Sequence, residues 1–139
     1  MNSTITRELR FAQPPERVWQ ALARREALAE WMYPNDFEPR LGHRFSFHVP
    51  ASPGLPGGLV VDCEVLACDP PTTLRFSWVV GSFLDTRVSY RLEADGQGTV
   101  VYFEHSGFTQ PQARGGAEYG WRAMHHKLAE LLTPVGGSS

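Results

Sequence analysis

The sequence lacks any long apolar segment and lacks an excess of charge of either sign. No apolar run approaches the roughly 20 residues that a helix needs to cross a bilayer, and the charged N-terminus has no apolar core of the kind found in signal peptides. The 139 residues carry 13 basic and 15 acidic side chains, a formal charge of −2. This near balance provides no field that would attract nucleic acid or anionic lipid. We therefore expect a cytoplasmic protein with neither a nucleic acid nor a membrane as its partner.

Cysteine and the common catalytic motifs are also scarce. Cys63 and Cys68 lie five positions apart in one predicted strand, where an odd separation places the side chains on opposite faces and prevents a disulfide between them. The five histidines show no His-x3-His spacing and the cysteines no Cys-x2-Cys spacing, so we expect no metal site and no cofactor. A Gly-x-Ser-x-Gly elbow is absent too, which leaves nucleophilic catalysis without support.

What the sequence does contain is typical of one globular domain. Hydrophobic residues make up 42% of the chain and charged residues 20%, which supplies a core and argues against disorder. The length lies within the usual range for a single domain. We find neither an internal repeat nor a linker, and we predict one domain over residues 1–135 followed by a flexible Gly-Ser tail over 136–139.

Alternation of apolar and polar residues predicts a sheet of six or seven strands. The first alternating segment is Thr4–Phe11, where Ile5, Leu9 and Phe11 share a face. From Asp36 to His105 the pattern is almost wholly extended. Its alternating segments are 45–49, 59–67, 74–80, 86–93 and 101–105, with an exposed loop at 50–58 and turns at 69–72 and 95–96.

Helical periodicity predicts two short helices near the N-terminus and one longer helix at the C-terminus. Pro15 helps to open the first, because proline is tolerated in the first helical turn. The second covers about 25–32. The longest covers about 116–132, after a loop over 106–114 and before a stop at 133–134.

The order of these elements predicts an α+β fold in which a curved antiparallel sheet packs against the C-terminal helix. Consecutive strands with one apolar face need a cover, and only the last helix is long enough to provide it. Twist curls a sheet of this size, whereas a helix is only about 10 Å wide. We therefore expect the helix to leave an apolar cleft between itself and the sheet.

Several short motifs resemble those of a known family. In chain order they are Ala12-x-Pro14-x-Glu16-x-Val18-Trp19-x-Ala21-Leu22, Trp31-x-x-Pro34, Leu41-Gly42-x-x-Phe45, and Gly120-Trp121 with Leu128. This series is similar to bacterial proteins named after the C-terminal domain of the activator of heat-shock-protein ATPase, within the START-like (SRPBCC, Bet v-like) superfamily. The resemblance implies the helix-grip fold, and superfamily members commonly enclose an apolar ligand cavity.

Two positions depart from the family pattern. His43 stands where a second glycine usually follows Gly42, and Ala23 stands where a Ser, Thr or Asp would be expected to cap the second helix. The eukaryotic co-chaperones also carry a further N-terminal domain, for which 139 residues leave no room. We therefore do not expect the heat-shock function in the family's name, and fold similarity alone assigns no activity.

Two polar residues and a set of mostly aromatic residues form the candidate ligand site. His105 shares the apolar face of its strand with Phe103, and Arg7 lies on the apolar face of the first strand, where an unpaired charge is unfavourable. For each, the alternatives are a structural polar contact or contact with a ligand. The residues predicted to line the cleft are Arg7, Trp31, Phe45, Phe47, Trp78, Val88, Tyr90, Phe103, His105, Tyr119 and Met124. The aromatic members would equally serve as a packed core.

These observations favour non-catalytic binding of a small hydrophobic or aromatic molecule in a cavity between the sheet and the C-terminal helix. Two alternatives stay open. One is an enzyme of the cyclase, dehydratase or hydrolase type, with His105, Arg7 or Tyr90 as proton donor or electrostatic stabiliser. The other is a protein-interaction module, either a homodimer formed through an exposed sheet edge or, less expected, a partner of a chaperone.

Overall fold

The structure is a computed structural model that describes residues 3–132. Its elements, in chain order, are β1 (Thr4–Phe11), α1 (Pro15–Leu22), α2 (Arg25–Trp31), β2 (Arg44–Val49), β3 (Leu59–Asp69), β4 (Thr73–Val80), β5 (Leu84–Asp95), β6 (Gly98–Ser106) and α3 (Pro111–Leu132). The strands form one curved antiparallel sheet in the order β1-β6-β5-β4-β3-β2. The predicted α+β helix-grip architecture is thereby confirmed.

The strand register explains why one face of the sheet is buried. Directly opposed residues of antiparallel strands share a face, so the pairs Ile5–His105, His105–Val88, Val88–Phe76 and Phe76–Val65 form one continuous row across five strands. All five side chains of this row are buried. The inner face that they define packs against the helices, and α3 contacts β1 as well as α1 and α2.

A β-bulge corrects the predicted placement of Cys68. The β3–β4 register shifts between Val65 and Ala67, where one extra residue enters β3 and reverses the alternation beyond it. Cys68 consequently lies opposite Leu74, which is buried on the inner face, and so shares that face with Cys63. Both cysteines are free thiols, as expected, and burial raises the pKa of each.

The first two helices begin where they were predicted, whereas the C-terminal helix begins earlier. α3 starts at Pro111 rather than near residue 116, so the predicted loop over 106–114 is wrong for its last four residues. Proline is favoured at the first helical position, and Arg114 ties this first turn to β1 by donating from Nε to the carbonyl of Thr4 over 3.1 Å. α2 is preceded by Arg24, with Ala23 ending α1 instead of capping α2. The predicted helix stop and the tail over 136–139 lie outside the described residues.

Candidate functional site

Most of the predicted site residues meet on the inner face of the sheet. Nine of them are buried there or on the helices that cover it, namely Trp31, Phe45, Phe47, Trp78, Val88, Tyr90, Phe103, His105 and Met124. Arg7 is partly buried at β1. Tyr119 is the exception, because its side chain is 80% exposed. At about 100° per residue it lies some 200° around α3 from the buried Trp121, so the prediction that it lines an interior cleft is wrong.

Aromatic rings occupy the layer in which the cleft was predicted. The ring centroid of Trp121 lies 4.7 Å from that of Phe103 and 5.2 Å from that of Trp78. Trp31 packs edge-on against Tyr90 with centroids 6.5 Å apart. The prediction considered only the width of a helix backbone, whereas each aromatic side chain buries a further 150–250 Å² or so. An interior cavity is not shown in the described part of the chain.

His105 is held in this layer by a closed set of hydrogen bonds. Trp121 donates from Nε1 to Nδ1 of His105 over 2.9 Å. Thr86 donates its hydroxyl proton to the carbonyl of Trp78 over 2.7 Å, which leaves Oγ1 to accept from Nε2 of His105, also at 2.7 Å. These partners require the neutral tautomer of His105 with its proton on Nε2. Of the two alternatives for this residue, the geometry favours the structural contact, because both ring nitrogens have protein partners.

His125 lies on α3 in the same layer but has a partner on one side only. Its Nε2 is 3.0 Å from the phenolic oxygen of Tyr90. An imidazole nitrogen accepts better than a phenol oxygen, so Tyr90 donates and Nδ1 of His125 carries the ring proton. That Nδ1 is buried and has no hydrogen-bond partner within residues 3–132.

Burial determines the charge state of these groups. It lowers the pKa of His105 and of His125 to about 3, and the positive charge of Arg7 adds to the effect at His125. Burial also raises the pKa of Tyr90 well above its ordinary value. All three side chains are therefore uncharged at neutral pH.

Arg7 is a further polar side chain of the candidate site, besides His105 and His125. It lies opposite Phe103 in the β1–β6 register, which puts it on the inner side of the edge strand. Its Nη1 is buried and has no hydrogen-bond partner in the described residues, and no carboxylate of residues 3–132 forms an ion pair with it. The structural ion pair considered for Arg7 is thus not found, and contact with a ligand stays open.

Arg7 and His125 both line a groove between the edge strand and the C-terminal helix. Residues 7–11 of β1 form one wall, and Arg122, His125, His126 and Ala129 of α3 form the other. The groove has a volume of about 340 Å³, which lies at the lower end of the range for sites of small molecules. We call it the β1–α3 seam.

The family of the chain follows from comparison with known proteins. A family model described as activator of Hsp90 ATPase homolog 1-like protein matches residues 12–133. The chain belongs to this family. The match begins at Ala12, the first residue of the motif series quoted above, and confirms the resemblance that the motifs indicate. Comparison with curated proteins gives no match.

Solved structures similar to this member of the Hsp90 ATPase activator-like family share its fold. Protein MLL2253 from Mesorhizobium loti is 37% identical with a TM-score of 0.85, and the alignment covers 95% of this chain and 99% of that one. CalU16 from Micromonospora echinospora is 26% identical with a TM-score of 0.79, covering 94% and 76%. BH1534 from Bacillus halodurans is 25% identical with a TM-score of 0.77, covering 93% and 96%.

The described residues provide neither a metal site nor a membrane-spanning helix. Among residues 3–132, no three or more His, Cys, Asp or Glu side chains are grouped so that they could hold a metal ion. None of α1, α2 and α3 is both long and apolar enough to span a bilayer.

Of the nine residues that line the seam, the sequence analysis selected Arg7 as a site residue and missed the other eight, His125 and Arg122 among them. A signal for His125 was present, because Trp121, His125, Leu128 and Leu132 follow each other at helical spacing and are all buried. Arg122 carries no such signal. Its place in the seam depends on how α3 docks against β1, and a single helix pattern contains no information about that contact.

Proposed function

We propose that this protein binds a small apolar or aromatic molecule in the β1–α3 seam, between the sheet and the C-terminal helix, and that it does so without catalysing a reaction. The observation that carries the proposal is the pair of buried polar atoms at the seam, Arg7 Nη1 and His125 Nδ1, that have no hydrogen-bond partner in residues 3–132. Buried donors are nearly always satisfied in folded proteins. Two orphaned donors beside one groove are what a site for an absent ligand is expected to leave.

Three apolar residues of the seam, one of them on α3, can contact a ligand with an apolar body. Leu9 and Phe11 are partly buried and pack against the hydrophobic core, and Ala129 faces them from α3 with a side chain that occupies little of the groove. The other six lining residues are charged or polar, and polar groups orient the ligand in small-molecule sites. The family fold is typically a ligand-binding one, which supports the same class of function.

The protonation states support binding rather than acid–base catalysis. Groups that transfer protons near neutral pH usually have a pKa close to 7. The pKa of His125 is instead lowered to about 3, that of Tyr90 is raised well above its ordinary value, and both nitrogens of His105 are already bonded. None of these three groups, of which the enzyme alternative named His105 and Tyr90, is arranged to take up and release a proton.

Tryptophan fluorescence can test this proposal directly. The ring of His125 lies 5.3 Å from that of Trp121 and 6.0 Å from that of Trp31, so a molecule that reaches Nδ1 will change the surroundings of both indoles. Titration with small naphthalene and indole derivatives should give a saturable change. Absence of any saturable change across the set would contradict the proposal.

A matched pair of variants locates the site. Ala129→Phe should fill the seam and abolish the saturable change, because residue 129 lines the groove. Ala123→Phe adds the same ring to an exposed position of the same helix that does not line the seam, and should leave binding intact. Equal effects of the two substitutions would show that the molecule binds elsewhere.

A further inference from the structure

We infer that the molecule bound in the β1–α3 seam is a monocarboxylate, an apolar or aromatic acid whose carboxylate is held by Arg7 and Arg122. This inference rests on the proposed function and specifies its ligand class. It begins from the balance of charge along the two walls of the seam.

Two acidic side chains near the seam are already engaged by other arginines. Glu8 forms an ion pair with Arg10 at 2.6 Å, and Arg10 also contacts Asp95 at 2.9 Å. Glu118 is engaged by Arg114 at 3.4 Å. Glu8 and Glu118 are thus held by arginines other than Arg7 and Arg122.

Arg7 and Arg122 are the seam arginines that form no ion pair within residues 3–132. They line the seam together, Arg7 from β1 and Arg122 from α3, and they also line an adjoining groove with Thr6, Glu8 and Glu118. Two cationic forks facing one groove are the arrangement that binds a carboxylate through charge-assisted hydrogen bonds.

The two buried atoms without partners, which belong to residues that line the seam, have the matching polarity. Arg7 Nη1 can only donate, and His125 Nδ1 also carries a proton because Tyr90 donates to the opposite ring nitrogen. Both atoms therefore need an acceptor. A carboxylate offers two oxygens with about four lone-pair positions, whereas an amide or a ketone offers one oxygen and no charge.

A single negative charge fits the seam better than a double one. The seam holds a neutral, deeply buried imidazole and apolar side chains from β1, and the free energy needed to desolvate an anion rises steeply with its charge. A carboxylate on an apolar body leaves that body to contact Leu9 and Phe11.

The test compares two probes that differ only in charge at one group. We expect calorimetric titration at pH 7 to show that naphthalene-2-carboxylate binds at least tenfold more tightly than naphthalene-2-carboxamide. Arg7→Met and Arg122→Met should each reduce that preference severalfold. Arg44→Met removes one exposed arginine at the opposite edge of the sheet and should keep it.

The outcomes separate this inference from the proposed function. If the amide binds as tightly as the acid, the inference is overturned and the proposed function stands. If neither probe nor any other apolar molecule binds, both fail. If the acid is preferred but Arg7→Met and Arg122→Met both retain the preference, the assignment of the carboxylate to these arginines is overturned. Arg122 is exposed, so its variant keeps the test valid even if substitution of Arg7 disturbs the fold.

Discussion

His105 and His125 lie in one aromatic layer, contact the same tryptophan and are almost fully buried, with 0% and 3% of their surfaces exposed. Burial lowers the pKa of both to about 3. They differ in their hydrogen bonds. Both nitrogens of His105 are bonded within the protein, whereas Nδ1 of His125 has no partner in residues 3–132. The pKa alone therefore cannot separate a structural histidine from one that faces a ligand, but the partners of the two nitrogens can.

The comparison also assigns the two rings opposite tautomers. His105 accepts at Nδ1 and donates from Nε2, because Trp121 can only donate and the hydroxyl proton of Thr86 is already used. His125 accepts at Nε2 from Tyr90 and keeps its proton on Nδ1. The closed network stabilises the layer, and the open one leaves a buried donor without a partner in residues 3–132.

The largest expected effect is the loss of stability when each histidine side chain is removed, and this loss should differ between His105 and His125. His105→Ala should lower the free energy of unfolding by about 3–4 kcal/mol, because it leaves a cavity and also removes the partner of the buried Trp121 indole N–H. His125→Ala should cost about 1 kcal/mol less, since one of its two nitrogens has no partner to lose. Urea unfolding at pH 7 measures both. An equal or larger loss for His125→Ala would contradict the distinction.

The next effect is a dependence of the free energy of unfolding on pH, and it tests the lowered pKa that the two histidines share. Above pH 6.5 each histidine is neutral in both the folded and the unfolded chain. Between pH 6.5 and about 3 the unfolded chain takes up a proton that the folded chain does not. Stability should fall with decreasing pH across this window by about 1.4 kcal/mol per pH unit for each ring.

Variants of α3 assign part of that slope to His125. His125→Phe should reduce it by about 1.4 kcal/mol per pH unit, because one of the two protonation differences is removed. Ala123→Phe adds the same ring to α3 without removing a histidine and should keep the wild-type slope. Urea titrations at several pH values measure this, and an unchanged slope in His125→Phe would show that its pKa is not lowered in the folded state.

A smaller effect is expected from the hydroxyl that orients His125. Tyr90→Phe should lower the free energy of unfolding by about 1 kcal/mol, the usual contribution of one hydrogen bond. It should also remove the donor that keeps the proton of His125 on Nδ1. Thermal unfolding and the ¹⁵N shifts of the ring report these two results separately, and an unchanged tautomer would contradict the role given to Tyr90.

The smallest expected effect is an increase, rather than a decrease, in the free energy of unfolding. Arg7→Met should raise the free energy of unfolding by about 0.5 kcal/mol, because it removes a buried donor without a partner and keeps an apolar stem of similar length. Residues that serve binding rather than folding commonly show this gain. A loss of more than about 1 kcal/mol would mean that Arg7 is a structural residue.

Much of the fold could be predicted because its patterns are local. The alternation in Thr4–Phe11 and the later strands depends only on neighbouring residues, and each of these strands is present. The bulge before Cys68 could not be predicted, because it exists only in the pairing of β3 with β4. The start of α3 was missed because Gly115 and Gly116 disfavour a helix locally, whereas the contact of Arg114 with β1 lies 110 positions away in sequence.

The candidate site was less accessible to sequence reasoning. Arg7 stood out because a charge interrupts an apolar face, and that signal lies within one strand. The groove beside it depends on β1 and α3, elements at opposite ends of the chain. The interior cleft was predicted from the width of a helix, and the sequence pattern does not show how far Trp31, Trp78 and Trp121 fill the space.

Nitrogen-15 NMR of the imidazole rings tests the central claim most directly. In the free protein at pH 7, the account predicts a proton on Nε2 of His105 and on Nδ1 of His125. Addition of naphthalene-2-carboxylate should shift the Nδ1 resonance of His125 and leave both resonances of His105 in place. A ligand that saturates the protein without moving the His125 resonance, or that moves those of His105 instead, would contradict the account.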